Sequence, residues 1–232
     1  MIPARTLLGK TDCRPILLVL LLLLIAVPSA LSGAGADDDV LVFSVRRWQG
    51  EYESEDVSGG VKTTPSTASI YSIRADGSEL KELVSVEGAV CDAPAYSPDG
   101  EWLYFQSNAS GAYHLYRCKA DGSDREQLTS STRPGLPWKT VFGLQVTSTG
   151  QLLCTPNDGS SGCVAVLSPD GSQMKLVAPH LGYLYMSAMS PQGDAVVVSG
   201  PASGYRLWLM KLPDAYGDGE SRLAGPSVDL AP

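Results

Sequence analysis

Residues 95–106 read AYSPDGEWLYFQ, a Ser-Pro-Asp-Gly turn followed at once by aromatic and aliphatic residues. Proline sets φ at the second turn position, aspartate accepts hydrogen bonds from nearby backbone amides, and glycine adopts a positive φ. Such a turn joins two antiparallel strands with few residues. The stretch therefore predicts a β-hairpin in which Asp99 is a turn former, rather than a calcium ligand or a catalytic acid.

Two kinds of turn recur along the chain with a common period. The Asp-Gly turns place Gly77, Gly122 and Gly171 at spacings of 45 and 49 residues, and the other turns place Gly100, Gly150 and Gly193 at spacings of 50 and 43. A repeat of roughly 45 residues is the length of one four-stranded propeller blade. Because two independent landmarks keep this period, we predict an all-β chain, a β-propeller of four-stranded antiparallel blades.

At these residues the chain resembles the TolB-like family of WD40-like propeller repeats. The resemblance rests on the turn at 96–100 and on the strand from Trp102 to Phe105, which are close to that family's usual motif. The propeller domains of dipeptidyl peptidase IV-type hydrolases are similar. TolB-type propellers usually have six blades, whereas about four are recognisable here. We therefore expect a small or truncated ring and favour truncation.

The first 36 residues have the layout of a secretory signal peptide. Arg5, Lys10 and Arg14 precede an unbroken apolar run over 16–27, and small residues follow at 34–36. This run is shorter than the roughly 18 residues expected of a membrane span. We expect cleavage, with an uncleaved signal anchor as the alternative.

The rest of the chain is then predicted to form propeller blades over 37–224 and a flexible tail over 225–232. Loss of the signal segment removes three basic residues and one acidic residue from totals of 17 and 25, which leaves a net charge of −10. Such an acidic balance argues against a nucleic-acid partner. The expected location is secreted, in an endomembrane lumen, or periplasmic if the host is bacterial, with membrane contact only through an uncleaved anchor.

The strand order predicts which face of the propeller carries function. If the strands of a blade are labelled A to D outward, the tight A–B and C–D turns lie on one face, and the longer B–C and D–A loops lie on the other. Function usually sits on such loops. The segments 45–69 and 129–140 carry residue types enriched at interaction hot spots, namely Trp48, Tyr52, Arg133 and Trp138.

We predict that these four residues help the loop face to bind a protein or glycan partner of unknown identity. For either tryptophan, local packing is the alternative interpretation.

The cysteines outside the signal segment are Cys91, Cys118, Cys154 and Cys163, for which three pairings are possible. Cys154 is predicted to end a B strand and Cys163 to begin the next C strand, so a disulfide between them is feasible and expected. Cys118 falls in an apolar column and is expected to be a buried thiol.

One further modification is predicted on a loop. Asn108-Ala109-Ser110 is an N-glycosylation sequon in a B–C loop. We expect Asn108 to be glycosylated if the host is eukaryotic.

No pattern nominates a catalytic residue, a metal site or a cofactor. His114 and His180 have no His or Cys neighbour at metal-ligand spacing. The Gly-Ser-Ser-Gly sequence at 159–162 does not match the Gly-x-Ser-x-Gly elbow of serine hydrolases.

The leading prediction is therefore a non-enzymatic, secreted or envelope-facing scaffold. One alternative is the truncated propeller domain of a secreted hydrolase of the prolyl-oligopeptidase or dipeptidyl-peptidase type. The other is a glycan-processing propeller.

Overall fold

The structure is a computed structural model, and the residues it describes fall into eight ranges: 39–50, 54–57, 60–63, 65–132, 138–158, 163–177, 186–199 and 208–211. The predictions that concern residues outside these ranges are the signal peptide at 1–36, the tail at 225–232, Tyr52, Arg133 and His180.

The described residues form sixteen β-strands, arranged as four successive sheets, here called blades 1 to 4, and one extra hairpin. Blade 1 contains β1 (Val40–Trp48), β4 (Ser66–Arg74) and β5 (Lys81–Val84), and the hairpin contains β2 (Ser54–Val57) and β3 (Gly60–Thr63). Blade 2 contains β6 (Cys91–Tyr96), β7 (Trp102–Ser107), β8 (His114–Lys119) and β9 (Glu126–Gln127). Blade 3 contains β10 (Thr140–Val146), β11 (Leu152–Asn157), β12 (Val164–Leu167) and β13 (Met174–Val177). Blade 4 contains β14 (Met186–Met189), β15 (Ala195–Ser199) and β16 (Trp208–Lys211).

This architecture confirms the predicted fold class, an all-β propeller with about four blades. Within each blade, neighbouring strands pair antiparallel, and blades 2 and 3 have all four strands. The alternation of strand direction places the glycine turns on one face and the longer loops on the other, as expected. Over the described ranges no helix occurs, and so none that is long and apolar enough to cross a bilayer.

The segment 45–69 is more regular than the sequence suggested. β1 and β4 pair without a break from Val40 opposite Arg74 to Trp48 opposite Ser66. Beyond that end, Ser54 pairs with Thr63 in the short hairpin of β2 and β3. The β-branched and aromatic residues of β1 and β4 favour extended backbone, which explains why the ladder continues into the predicted loop.

The three Asp-Gly turns each form the same pattern of hydrogen bonds. In each, an aspartate oxygen accepts hydrogen bonds from both the backbone N–H and the hydroxyl of the serine two residues later. The donor–acceptor distances are 2.8 and 2.6 Å for Asp76, 2.9 and 2.6 Å for Asp121, and 3.0 and 2.7 Å for Asp170. These donors hold the pKa of Asp76 and Asp121 below the usual aspartate value, because they favour the charged form. At Asp170 the Ser168 hydroxyl lowers the pKa most, and Ser172 lowers it further.

Two of the three glycines in the Asp-Gly turns lie close against the preceding blade. A Cβ on Gly122 would lie 2.2 Å from the carbonyl oxygen of Leu83 in β5. A Cβ on Gly171 would lie 3.0 Å from the side chain of Leu128, which follows β9. A Cβ on Gly77 in blade 1 would meet nothing within 4 Å. The turn of one blade therefore lies on the outer strand of the blade before it, and only glycine allows the approach at Gly122.

The hydrophobic core lies between the blades in three clusters. Between blades 1 and 2, the largest fully buried side chains are Ile70, Leu103 and Phe105. Between blades 2 and 3, they include Tyr104, Leu115 and Leu152. Between blades 3 and 4, the cluster includes Leu153, Val164 and Val198. Blade 2 and blade 3 are thus buried on both faces, which explains their nearly continuous apolar strands.

Polar contacts reinforce the same blade junctions. The Tyr104 hydroxyl donates to the carbonyl of Pro169 in the next blade at 3.1 Å. The Gln106 side-chain oxygen accepts the N–H of Gly143 at 3.0 Å. Gln145 in turn donates to the carbonyl of Ser187 at 2.5 Å. These bonds fix the register of one blade on the next, which apolar packing alone specifies poorly.

We predict that Gly122→Ala destabilises the protein much more than Gly77→Ala. Both glycines have a positive φ, 92° and 84°, so both substitutions carry the left-handed penalty of about 1–2 kcal/mol. Only Gly122→Ala also forces a methyl group against Leu83, which adds about 1–3 kcal/mol. Free energies of unfolding from urea titrations measure the difference. Equal losses for the two variants would show that the blades do not touch at this turn.

We also predict that Asp170 makes stability depend on acid pH. Hydrogen bonds from Ser168 and then Ser172 hold the Asp170 pKa well below the ordinary value. A lowered pKa in the folded state contributes stability that is fully present above the unfolded pKa of about 4, and this contribution is lost progressively as the pH falls below that value towards the folded-state pKa. Urea titrations from about pH 6 down to about pH 2 should therefore show a shallower loss for Asp170→Asn, whose amide oxygen still accepts hydrogen bonds.

The matched control for this experiment is Asp39→Asn, because Asp39 lies just before β1 and outside the turns. It should keep the pH dependence of the unmodified protein. An Asp170→Asn profile parallel to that of the unmodified protein would contradict the assignment.

Candidate functional site on the loop face

The inner strands of blades 2 and 3 carry bulges at equivalent positions. In β6 the pairing with β7 shifts between Asp92 and Ala95, and Ala93 has a φ of 49°. In β10 the pairing with β11 shifts between Phe142 and Gln145, and Gly143 in that bulge has a φ of 72°. Alanine adopts a left-handed conformation at a cost, and bulges commonly re-aim neighbouring side chains. The strained position lies next to Asp92, near the loop end of β6.

An ion pair joins blade 1 to blade 2 at this end. The Arg46 guanidinium donates to Oδ2 of Asp92, and their side chains are 37% and 15% exposed. Tyr113, just before β8, completes the group. Its pKa is raised mainly by burial; the Asp92 charge raises it further, whereas Arg46 lowers it. The three side chains, here called the loop-face cluster, therefore come from two blades and act on one another.

The cluster includes a buried acceptor without a donor. Asp92 Oδ1 is buried and has no hydrogen-bond partner among the described residues. Trp138 Nε1 and Thr155 Oγ1 are also buried and have no hydrogen-bond partner among the described residues. An unsatisfied buried polar group costs about 1–3 kcal/mol, so each one requires an explanation. Asp92 lies beside a partly exposed arginine at the loop face, where a bound group could supply the missing donor.

Trp48 and Trp138 occupy different environments. Trp48 is partly buried at the end of β1, on the same sheet face as Arg46 because the two are two residues apart. Trp138 is partly buried just before β10 and packs against the core between blades 2 and 3. The structure thus brings Trp48 to the face of the loop-face cluster and gives Trp138 a packing role. Partner binding by either residue stays a prediction.

Sequence reasoning missed Asp92 and Tyr113. Their signal is weak, because neither belongs to a motif and both come together with Arg46 only through the packing of blade 2 on blade 1. The non-glycine left-handed residue next to Asp92 has no signature in the sequence.

The structure does not support the predicted disulfide between Cys154 and Cys163, since all four described cysteines are free thiols in it. Cys154 is the third residue of β11 rather than its last, and it pairs with Ala165. The Cys163 N–H instead donates to the carbonyl of Pro156 at 3.1 Å. The two cysteines are therefore diagonal neighbours, roughly 7–8 Å apart, which is too far for a disulfide without backbone movement.

Burial makes these thiols hard to ionise. It raises the pKa of Cys163 to about 11 and that of Cys154 still further. Cys118 is fully buried, as expected, and burial raises its pKa to about 11. Such thiols are poor nucleophiles, because the reactive thiolate form is scarce at neutral pH.

A shallow groove of about 270 Å³ crosses the opposite, turn face between blades 2 and 3. On its floor, Trp102 lies under two cations, with Arg117 Cζ at 4.2 Å and Lys119 Nζ at 3.9 Å from the ring centroid. Arg117 also pairs with Glu126 at 2.8 Å and donates to Pro169 of the next blade at 3.3 Å. These side chains are already engaged with one another and with Pro169, so the groove is a weaker candidate site than the loop-face cluster.

Asn108 has a structural role at the loop face. Its side-chain oxygen accepts the N–H of buried Val90 at 2.7 Å, and its own N–H donates to the Val90 carbonyl at 3.2 Å. Val90 in turn forms an isolated parallel bridge with Ala68 in β4. Asn108 therefore links a B–C loop to the segment between β5 and β6, which connects blade 1 to blade 2. Glycosylation of its amide nitrogen stays a prediction.

Comparison with known proteins agrees with the fold. No protein-family model matches the chain. An uncharacterised protein of Agrobacterium fabrum is 42% identical over 62 residues, which are 27% of this chain and 21% of that protein. The solved structure of TolB from Acinetobacter baumannii matches with a TM-score of 0.50 and 16% identity, over 63% of this chain and 36% of that one.

A putative TolB from Agrobacterium tumefaciens matches with a TM-score of 0.42 and 23% identity, over 54% of this chain and 48% of that one. The chain thus spans about a fifth of the curated relative and less than half of these two solved chains. The TolB-like resemblance read from the repeats is confirmed at the level of the fold.

We predict that Asn108→Ala lowers the free energy of unfolding by about 1–2 kcal/mol, because the buried Val90 N–H loses its acceptor. The control Ser110→Ala destroys the same sequon but keeps that hydrogen bond, so its effect should stay within about 0.5 kcal/mol. Chemical denaturation of unglycosylated protein measures both effects.

Glycosylation is tested separately by the same two variants. In a eukaryotic secretory host, each should abolish a glycosidase-sensitive mobility shift of the unmodified protein. Equal destabilisation by the two variants would contradict the structural role of Asn108.

Proposed function

We propose that this TolB-like propeller is a non-catalytic scaffold, secreted or envelope-facing, that binds a protein or glycan partner through its loop face. The fold neighbours support a propeller scaffold. A fold of this kind hosts both binding and catalysis, so the argument for binding must come from the site itself.

The observation that carries the proposal is the unsatisfied carboxylate oxygen of Asp92. Arg46 occupies the other oxygen, so the Asp92 charge is already paired. What the buried Oδ1 lacks is a donor, such as an amide N–H or a sugar hydroxyl. Filling this position returns the cost of the unsatisfied acceptor as binding free energy.

Arg46 adds the complementary function. Its side chain is 37% exposed, and a guanidinium has five N–H donors, of which the Asp92 pair uses one. The cluster therefore offers donors and an acceptor side by side. Peptide groups and sugar hydroxyls carry both kinds of polar group, which suits the pair better than a simple ion does.

Trp48 adds apolar area next to this polar pair. It lies two residues after Arg46, on the same face of β1. Tryptophan, tyrosine and arginine are the residue types most enriched where alanine substitution weakens binding. The extended ladder of β1 and β4 holds Trp48 on a rigid strand end, which lowers the entropy lost on binding.

The location outside the cytoplasm is part of the proposal and rests on the signal-like segment at 1–36. The acidic net charge of the remaining chain supports a partner other than nucleic acid.

The proposal is tested with the purified protein as bait against envelope or secretory extracts and against a glycan array. We expect Trp48→Ala and Asp92→Asn each to reduce capture of the same ligand by at least about tenfold, or about 1.4 kcal/mol. Asp92→Asn keeps the size of the side chain but weakens its acceptor and its ion pair.

The matched control is Leu80→Ala on the turn face, since Leu80 is 63% exposed and lies in the turn between β4 and β5. It should capture the ligand normally. Thermal unfolding confirms that each variant is folded. Unchanged capture by both folded loop-face variants, or equal loss in the control, would refute loop-face binding.

A further inference from the structure

A stacked aromatic pair occurs twice, at equivalent positions of blades 1 and 2. Phe43 stacks on Tyr71 with ring centroids 6.1 Å apart and an interplanar angle of 24°. Phe105 stacks on Tyr116 at 5.5 Å and 16°. In each pair the two residues are directly opposite in neighbouring strands, and Tyr71 and Tyr116 are 45 residues apart. The repeat has thus duplicated the pair.

The two copies of the pair differ in what covers them. Phe105 and Tyr116 are 0% and 6% exposed, because they face blade 1 in the core between blades 1 and 2. Ile70 is in that same core, so its neighbour Tyr71 faces the other way, and Phe43 does so with it. Phe43 and Tyr71 are only partly buried. Blade 1 therefore presents a blade-packing surface that no blade covers in the described structure.

This surface, here called the leading face, has an apolar centre and is preorganised. Leu41, Val45 and Ile73 share it by strand alternation and are also partly buried. Arg47 donates to the Tyr71 hydroxyl at 3.2 Å, and that hydroxyl donates to Glu82 at 2.6 Å. These bonds fix the tyrosine ring and leave its apolar part available for packing.

Blade 4 presents the other side of a blade, the side that packs on a following blade elsewhere in the chain. Val196 and Val198 are buried against blade 3, so Val197 between them faces away from it. Leu209 pairs directly with Val197 and shares that side, here called the trailing face, and it is 44% exposed. Val42 and Ile70 occupy the corresponding side of blade 1, where they cover the aromatic pair of blade 2.

One chain therefore carries both halves of the contact that its blades make internally. We propose that the trailing face of one copy covers the leading face of a second copy. The same contact made twice closes a two-copy ring of eight blades, which is within the four to eight blades of known propellers. The partner is a second copy because the trailing face supplies aliphatic side chains where the duplicated aromatic pair requires them.

The symmetry of this contact makes it testable. It is head-to-tail, so the two faces are different surfaces, and repetition by a two-fold rotation closes the ring. A back-to-back dimer through the leading faces alone would not involve Leu209. The proposal is also independent of the loop-face function, because neither face includes Arg46, Asp92 or Tyr113.

The test measures molar mass by light scattering after size exclusion, at about 1–100 μM protein. The unmodified chain should run as a dimer at the upper end of this range. Phe43→Glu and Leu209→Glu should each give monomers, since each places a charge in both contacts of the ring. A 1:1 mixture of the two variants should recover a dimer, because one contact in the mixed pair joins two unmodified faces.

Ala109→Glu is the matched control, since Ala109 is exposed on a B–C loop away from both faces, and it should leave the dimer intact. Circular dichroism and thermal unfolding identify any variant that fails to fold, and Phe43→Ser and Leu209→Ser then replace it. A monomeric unmodified chain at 100 μM would overturn the proposal. A dimer that resists Leu209→Glu, or folded variants whose mixture stays monomeric, would overturn it as well.

Discussion

The close approach of each Asp-Gly turn to the outer strand of the preceding blade is the constraint on which the structure depends. At Gly122 the backbone lies so near the Leu83 carbonyl that no side chain fits, and at Gly171 a Cβ would lie 3.0 Å from the Leu128 side chain. This approach sets how closely consecutive blades stack. Since the blades bury their apolar faces only against one another, the three core clusters follow from it.

The turns contribute to stability on one face of the propeller, whereas the candidate site lies on the other face. Their aspartates and serines satisfy one another, and the glycines Gly122 and Gly171 pack on the preceding blade, so the turn face has few polar groups to spare. The loop face is less constrained and contains the unsatisfied Asp92 oxygen. Arg46 and Asp92 cross a blade boundary there, so the candidate site exists only when blade 2 is packed on blade 1.

In a repeat protein, the first and the last repeat each expose one of the two surfaces that form the interfaces between internal repeats. The stacked pair Phe105–Tyr116 is core because blade 1 covers it, whereas the same pair in blade 1, Phe43–Tyr71, is only partly buried and no blade covers it within the described residues. Its composition is that of a core although its exposure is not. Apolar surface of this kind marks a place where another surface belongs, because leaving it in water favours association.

The sequence by itself determined the propeller, its period and the roles of the turn residues, because these depend on local backbone chemistry that repeats with each blade. It also identified Cys118 as a buried thiol, since strand alternation assigns faces. Only the tertiary structure decided matters that depend on register and on contacts between blades. A two-residue offset separates Cys154 from Cys163, and pairing extends through the segment expected to be an irregular loop. Arg46, Asp92 and Tyr113 lie far apart in the chain and share no motif, so only the packing of one blade on another brings them together.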